Sequence, residues 1–152
     1  MAVERRRVVI DASLALSFVM PGQPYHAQAA ALLRAWAVEG AVLVAPPLFE
    51  SEADGVIRRY VRRGLVDMEA GVAAQELLDA LAVVVIQDVR VRGRAREIAV
   101  KFNQDGVYDA TYAALAEVLG CEYWTADRAF YRAVKEGLDY VRFAGEAGAP
   151  QG

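Results

Sequence analysis

The sequence of 152 residues predicts an α/β fold, a three-layer α/β/α sandwich around a central, mostly parallel five-stranded sheet. Short apolar runs alternate with longer segments of helical periodicity, which is typical of strands joined by crossover helices. The length suits a single core, and parallel strands require helices on both faces of the sheet. We therefore expect one domain over residues 1–145, with residues 146–152 as a flexible tail because they lack an apolar pattern.

Local signals set each element in turn along the chain. Gly40 and Gly64 are predicted to end helices, and Asp67 is predicted to cap one. Pro46 and Pro47 open another helix, since proline is tolerated in a first turn. The predicted strands are 8–10, 41–45, 83–86, 122–125 and 140–143, and the predicted helices are 14–19, 25–39, 46–63, 67–81, 91–102, 107–119 and 127–136.

Composition excludes several kinds of active site. Cys121 and His26 are the only residues of their types, so an internal disulfide, a cysteine-rich zinc site and a multi-histidine zinc site are all excluded within one chain. Neither of the two lysines follows glycine, so there is no phosphate-binding Gly-Lys-Ser/Thr loop. The formal charge of −3 disfavours nucleic-acid binding, but two bound divalent cations would change it to +1.

The apolar content is high, with 56% hydrophobic residues and a mean hydropathy of +0.19. No apolar stretch approaches the roughly 20 residues that span a bilayer, so we expect no membrane association. The surplus favours a large core plus a partner interface, and hence a homodimer. No apolar signal region precedes the first predicted strand, which indicates a cytoplasmic protein.

Four carboxylates occupy informative positions. Asp11 and Asp127 follow predicted strands, where ligands bind in an open parallel sheet. Glu52 borders the buried face of its predicted helix and needs a partner there, and Asp109 lies in a first helical turn. Each also has a structural alternative: a helix cap for Asp11 and Asp127, a salt bridge for Glu52, and interaction with the helix dipole for Asp109.

Ser13 stands close to Asp11 and is predicted to orient either its carboxylate or a metal-bound water. Thr125 stands close to Asp127 and is predicted to supply a supporting hydroxyl on the other side. Arg59 and Arg63 share a helical face near Glu52 and are candidate RNA-binding residues, as is Arg128, although a solvated face explains the first two equally well. The alternating arginines at positions 90, 92, 94 and 96 are predicted to be mainly surface charge.

The chain resembles the PIN domain family, specifically the single-domain toxins of VapBC toxin-antitoxin pairs. The resemblance covers residues 8–143. Its motifs are Val-Ile-Asp11-Ala-Ser13, Glu52 ahead of Val-Ile-Arg-Arg, Tyr-Asp109-Ala-Thr-Tyr-Ala-Ala-Leu-Ala-Glu and Thr125-Ala-Asp127-Arg. The family commonly has asparagine where this chain has Asp54 or Gly55.

The resemblance implies a Mg²⁺- or Mn²⁺-dependent ribonuclease whose catalytic and metal-binding residues are Asp11, Glu52, Asp109 and Asp127. It also implies an RNA substrate and a cognate antitoxin protein as partners. Carboxylate oxygens are the hard ligands that these cations prefer, and metal-assisted hydrolysis needs no histidine.

Two other classes of function compete with this one. A non-catalytic module of the same fold would bind a partner through its apolar surface. A phosphotransfer or receiver domain would use Asp11 as nucleophile, but it would want a second aspartate at the position of Ser13 or a lysine at a strand end.

Overall fold

The computed structural model describes residues 4–148 of the chain. In these residues, five short strands are separated by seven α-helices. The strands are β1 (Arg7–Ile10), β2 (Val42–Ala45), β3 (Val84–Val85), β4 (Glu122–Thr125) and β5 (Val141–Phe143). The helices are α1 (Ala12–Val19), α2 (His26–Glu39), α3 (Leu48–Arg62), α4 (Met68–Ala80), α5 (Val91–Lys101), α6 (Tyr108–Leu119) and α7 (Arg128–Val134).

The strands form one sheet in the order β3-β2-β1-β4-β5, and all four pairings are parallel. The chain therefore extends the sheet from β1 to one side as far as β3, and then crosses to the other side of β1 to add β4 and β5. Such a reversal opens a crevice at the carboxyl ends of the two strands that flank it. Here those strands are β1 and β4, which pair with Val9 beside Tyr123.

Burial of β1 shows why the sheet needs helices on both faces. Val8, Val9 and Ile10 are all fully buried, although alternate side chains of a strand point to opposite faces. On one face α6 packs against β1 and β4 through small residues, and Ala110, Ala113 and Ala116 are also fully buried. The predicted α/β class and its five-stranded, mostly parallel sheet are confirmed.

Element boundaries differ from the predicted ones mainly at two places. Helix α1 begins two residues earlier than predicted, at Ala12, because the Asp11 carboxylate accepts a hydrogen bond from the Leu14 amide and caps it. Strand β3 has only two residues, and both are exposed. A short strand is a common way to end a sheet, because it offers little backbone to another chain.

The carboxyl-terminal segment is described only in part, since residues 149–152 lie outside the described range. A short 3-10 helix covers Ala144–Glu146, and the Tyr131 hydroxyl donates a hydrogen bond to Glu146 at 3.0 Å. The single domain over residues 1–145 and the flexible tail over 146–152 stay predictions. Between residues 4 and 148, none of the helices combines the length and the apolar character needed to cross a bilayer.

Candidate active site

Asp11 lies at the carboxyl end of β1 and is 2% exposed. Its Oδ1 accepts hydrogen bonds from the Leu14 amide at 2.9 Å and the Ser13 hydroxyl at 2.6 Å. Its Oδ2 accepts from the Tyr123 hydroxyl at 2.6 Å and from the Thr125 hydroxyl. A carboxylate has about four lone-pair sites, so this buried group has its full complement of donors. Burial raises the pKa of Asp11, and the four hydrogen bonds oppose that rise.

The hydroxyls of Ser13 and Thr125 connect the two loops of the crevice. Each donates to Asp11 and also accepts a backbone amide of the β4–α7 loop: Ala126 donates to Ser13 and Asp127 to Thr125, both at 2.9 Å. The carboxylate is thus held by β1, α1 and β4 together. Both hydroxyls thus bind the Asp11 carboxylate, and their role in a metal site stays a prediction.

Glu52 lies in the second turn of α3 and is only partly exposed. The Tyr112 hydroxyl donates to its Oε1 at 2.8 Å. Burial raises the pKa of Glu52, the negative charge of Asp11 adds to the rise, and the hydrogen bond from Tyr112 opposes it. Glu52 therefore has the buried partner that its helical phase requires, but this partner is a tyrosine rather than an arginine.

Asp109 and Asp127 complete the acidic group. Asp127 caps α7 by accepting the Phe130 amide at 3.0 Å, and Asp109 lies in the first turn of α6. The pKa of Asp109 is raised to about 7, first by burial and then by the charges of Asp11, Asp127 and Glu52. The four acids come from four different parts of the chain, and Asp11, Glu52 and Asp127 all lie close enough to Asp109 for their charges to raise its pKa.

Two buried tyrosines were missed by the sequence analysis. Tyr112 and Tyr123 are fully buried, their rings stack with centroids 5.7 Å apart, and their hydroxyls bind Glu52 and Asp11. Burial raises the pKa of both tyrosines, so both remain protonated donors at neutral pH. The sequence could have indicated them, because each tyrosine lies among small or apolar residues that predict burial. A buried tyrosine hydroxyl needs a polar partner, and the acids were the candidates.

The three candidate RNA-binding arginines lie at different distances from this group. Arg128 is the first residue of α7, next to Asp127, and its guanidinium lies 5.6 Å from the Phe143 ring centroid. Arg59 and Arg63 lie further along the α3 direction, about 10 and 16 Å from Glu52 at 1.5 Å per residue. An RNA strand would have to run along α3 to reach both from the crevice.

The donor set of the crevice fits a hard divalent cation. All the candidate ligands are carboxylate oxygens, and burial together with neighbouring negative charge raises the pKa of Asp109, which a nearby cation would oppose. Among residues 4–148, no three acidic, histidine or cysteine side chains are close enough to enclose an ion. An open arrangement suits Mg²⁺, which commonly uses one or two carboxylates and keeps several waters.

Fold and site together define the class of protein: a parallel α/β sheet with an acidic centre at its switch point. The family model of the PIN domain matches residues 8–136, and the chain belongs to this family. PIN domains are generally nucleases. The family match confirms the membership that the sequence motifs indicated.

Solved structures agree on the fold. PAE2754 from Pyrobaculum aerophilum superposes with a TM-score of 0.65 at 21% identity, covering 93% of each chain. VapC20 of Mycobacterium tuberculosis, described as a toxin that cleaves the sarcin-ricin loop, superposes with a TM-score of 0.62 at 23% identity, covering 89% of this chain and 98% of that one. No curated protein sequence matches the chain significantly.

Proposed function

We propose that this chain is a divalent-metal-dependent endoribonuclease and the toxin of a toxin-antitoxin pair. The observation that carries the proposal is the contact network that joins the acids. The Asp11 carboxylate and the Asp127 amide both bind the Thr125 hydroxyl, and Glu52 binds Tyr112, whose ring stacks on that of Tyr123, a donor to Asp11. Asp109 is close enough to Asp11, Asp127 and Glu52 for their charges to raise its pKa. Four acids that share a crevice repel one another, and a phosphodiester hydrolase uses that negative potential to hold cations. Membership of the PIN family and the fold shared with an RNA-cleaving toxin support the same assignment.

In this proposal Asp11, Glu52, Asp109 and Asp127 hold Mg²⁺ or Mn²⁺, one or two of them directly and the others through waters that the cation keeps. The cation, when bound, lowers the pKa of a water and neutralises charge that develops on the phosphate. Ser13, Thr125 and Tyr123 fix the Asp11 carboxylate, and Tyr112 fixes Glu52. Asp127 lies close to Asp109, and its negative charge is one of those that raise the pKa of Asp109.

Two alternatives remain as outcomes of experiment. A phosphotransfer domain would use Asp11 as nucleophile, but this chain has Ser13 where that class has a second aspartate. A non-catalytic module would keep the fold and bind RNA or protein without cleaving either. Metal-dependent cleavage by the purified chain separates that module from a nuclease.

The partners belong to the same proposal. Exposed apolar side chains lie on α4 and the loop before it: Leu65, Met68, Val72 and Leu77 are 64, 73, 48 and 43% exposed. Apolar groups concentrated in one segment are typical of a protein interface, which supports a homodimer, an antitoxin-binding surface, or both. A cytoplasmic location, where RNA is available, remains a prediction.

The test is cleavage of single-stranded and hairpin RNA pools by the purified chain with Mg²⁺ or Mn²⁺. We expect cleavage that chelation abolishes and that falls at least about a hundredfold, roughly 2.7 kcal/mol, in Asp109→Asn. The matched control is Asp105→Asn, because Asp105 is an exposed loop aspartate four residues away in sequence. Equal rates in the wild type and Asp109→Asn would overturn the proposal and identify a contaminating nuclease.

A further inference from the structure

The four alternating arginines around α5 fall into two kinds. Arg90 forms an ion pair with Asp88 at 2.7 Å, and Arg94 forms ion pairs with Glu117 at 2.7 Å and Glu97 at 3.0 Å. Arg92 and Arg96, one helical turn apart, form no ion pair with any residue between 4 and 148. Arg90, Arg92 and Arg96 are exposed and Arg94 is partly exposed, so the set lies at the surface as predicted, and it is ion pairing that divides it.

Arg92 and Arg96 line a cleft of about 350 Å³, which is at the small end of ligand-binding pockets. The cleft lies where β2 and β3 end, at the same edge of the sheet as the acidic centre. Its walls are largely apolar, and Asp88, at its rim, is neutralised by Arg90. The lining also includes Pro46, Pro47, Ile86, Gln87, Val91, Ala95, Val107 and Thr111.

The first turns of α6 separate this cleft from the acidic centre. Val107 and Thr111 line the cleft, whereas Asp109, two residues from each, points to the opposite side of the helix. A helix with its side chains is about 10 Å across, so the two places are about one or two nucleotides apart. Tyr108, the first residue of α6, lies between them in sequence and is 66% exposed.

We propose that this cleft binds a nucleotide of single-stranded RNA beside the one that is cut. The cleft is separate from the acidic centre, and none of the four acids lines it. Arg92 and Arg96 contact the two phosphates that flank the nucleotide, its base enters between the apolar walls, and Tyr108 stacks on the next base toward the acidic centre. The proposal rests on the proposed ribonuclease function.

The chemistry of the cleft favours this occupant. Guanidinium groups without protein partners match phosphate oxygens, and apolar walls match the face of a base. Duplex RNA does not offer a splayed base, whereas a single strand does. An acidic peptide would satisfy the arginines but would leave the apolar walls and Tyr108 unused.

The experiment measures binding of a fluorescein-labelled 12-nucleotide single-stranded RNA by anisotropy in EDTA, where no cleavage occurs. We expect the double variant Arg92→Ala/Arg96→Ala to bind about tenfold more weakly. The slope of log K against log salt should fall in magnitude by about 1.4, or 0.7 for each lost phosphate contact. The control variant Arg34→Ala/Arg132→Ala removes the same charge from exposed positions on α2 and α7 and should bind like the wild type.

Tyr108 supplies a second arm of the experiment. Tyr108→Ala should weaken binding about tenfold, and Tyr108→Phe should restore it, because stacking needs the ring and not the hydroxyl. Unchanged affinity and salt slope in the arginine double variant would overturn the proposal. It would also be overturned if a glutamate decapeptide displaced the RNA at equal concentration.

The binding and cleavage assays test the cleft and the ribonuclease function independently, so either proposal can fail while the other stands. If arginine-dependent binding occurs but no divalent metal produces cleavage, the cleft stands and the ribonuclease function is overturned. If metal-dependent cleavage occurs but the double variant binds RNA like the wild type, the function stands and the cleft proposal is overturned.

Discussion

The acidic centre has two halves that the fold treats in opposite ways. The inner half is Asp11 with Ser13, Tyr123 and Thr125, and its carboxylate is buried with four hydrogen-bond donors. The outer half is Glu52, Asp109 and Asp127, where Asp109 is surrounded by like charge. Burial raises the pKa of the acid in both halves, but hydrogen-bond donors oppose that rise at Asp11, whereas like charges add to it at Asp109. The difference teaches that the fold itself supports the inner carboxylate, while a cation or a proton would relieve the outer half.

The largest expected effect comes from breaking the inner half. Asp11→Ala removes the acceptor of three hydroxyls and one amide in a buried place. We expect the free energy of unfolding, measured with urea in EDTA, to fall by about 3 to 5 kcal/mol, because the abandoned donors keep their desolvation cost. Thermal melting followed by circular dichroism provides an independent check.

A conservative variant and a control variant help to interpret the loss of stability in Asp11→Ala. Asp11→Asn keeps one carbonyl acceptor, so its loss should be clearly smaller than that of alanine. Asp105→Ala, at an exposed loop position, should change stability by no more than about 0.5 kcal/mol. A loss for Asp11→Ala as small as that for Asp105→Ala would mean that the inner half is not the rigid unit described here.

The sequence predicted the inner half better than the outer one, for physical reasons. An acid after an apolar run must lie at the end of a strand, and a nearby Ser13 or Thr125 has few other acceptors within reach. The position of Asp109 relative to Asp127 depends instead on how closely α6 packs on β4. The rings of Tyr112 on α6 and Tyr123 on β4 stack in that interface, and periodicity does not encode their contact.

The tyrosines and the cleft show the limit of sequence reasoning more clearly. Tyr123 contacts Asp11 across 112 positions of sequence, so nothing local predicted the hydrogen bond. The arginines of α5 look equivalent in sequence, and only the positions of Asp88 and Glu117 distinguish those that are paired. Pairing of charges across elements is a property of the packed fold.

The second prediction concerns the outer half, where the negative charge of Asp109 should lower the stability of the folded protein in the absence of metal. The pKa of Asp109 is about 7, above its ordinary 3.8, so between these values the folded protein keeps a proton that the unfolded chain releases. Stability therefore falls as pH rises through this window. Asp109→Asn lacks that loss, and we expect it to be more stable than the wild type by about 2 kcal/mol at pH 8 in EDTA, with solvent exposure limiting the gain.

The pH and metal dependence provide the control. The advantage of Asp109→Asn should shrink toward zero at about pH 3, below the ordinary pKa of 3.8, where the folded and unfolded wild-type chains are both protonated at this position. Saturating Mn²⁺ should raise the melting temperature of the wild type by mass action and that of the variant much less. If Asp109→Asn is less stable than the wild type at pH 8 without metal, the charge of the outer half is not a cost to folding.

The smallest expected effect separates the two tyrosines by the half that each supports. Tyr123→Phe leaves the buried Oδ2 of Asp11 with one donor, whereas Tyr112→Phe leaves the partly exposed Glu52 open to a replacing water. We expect losses in the free energy of unfolding of about 1.5 and 0.5 kcal/mol, measured by urea titration at pH 7. Both substitutions keep the stacked rings, so packing is matched between them. Equal losses would show that the protein holds Glu52 as firmly as Asp11. Glu52 would then belong to the inner half, and the outer half would consist of Asp109 and Asp127 alone.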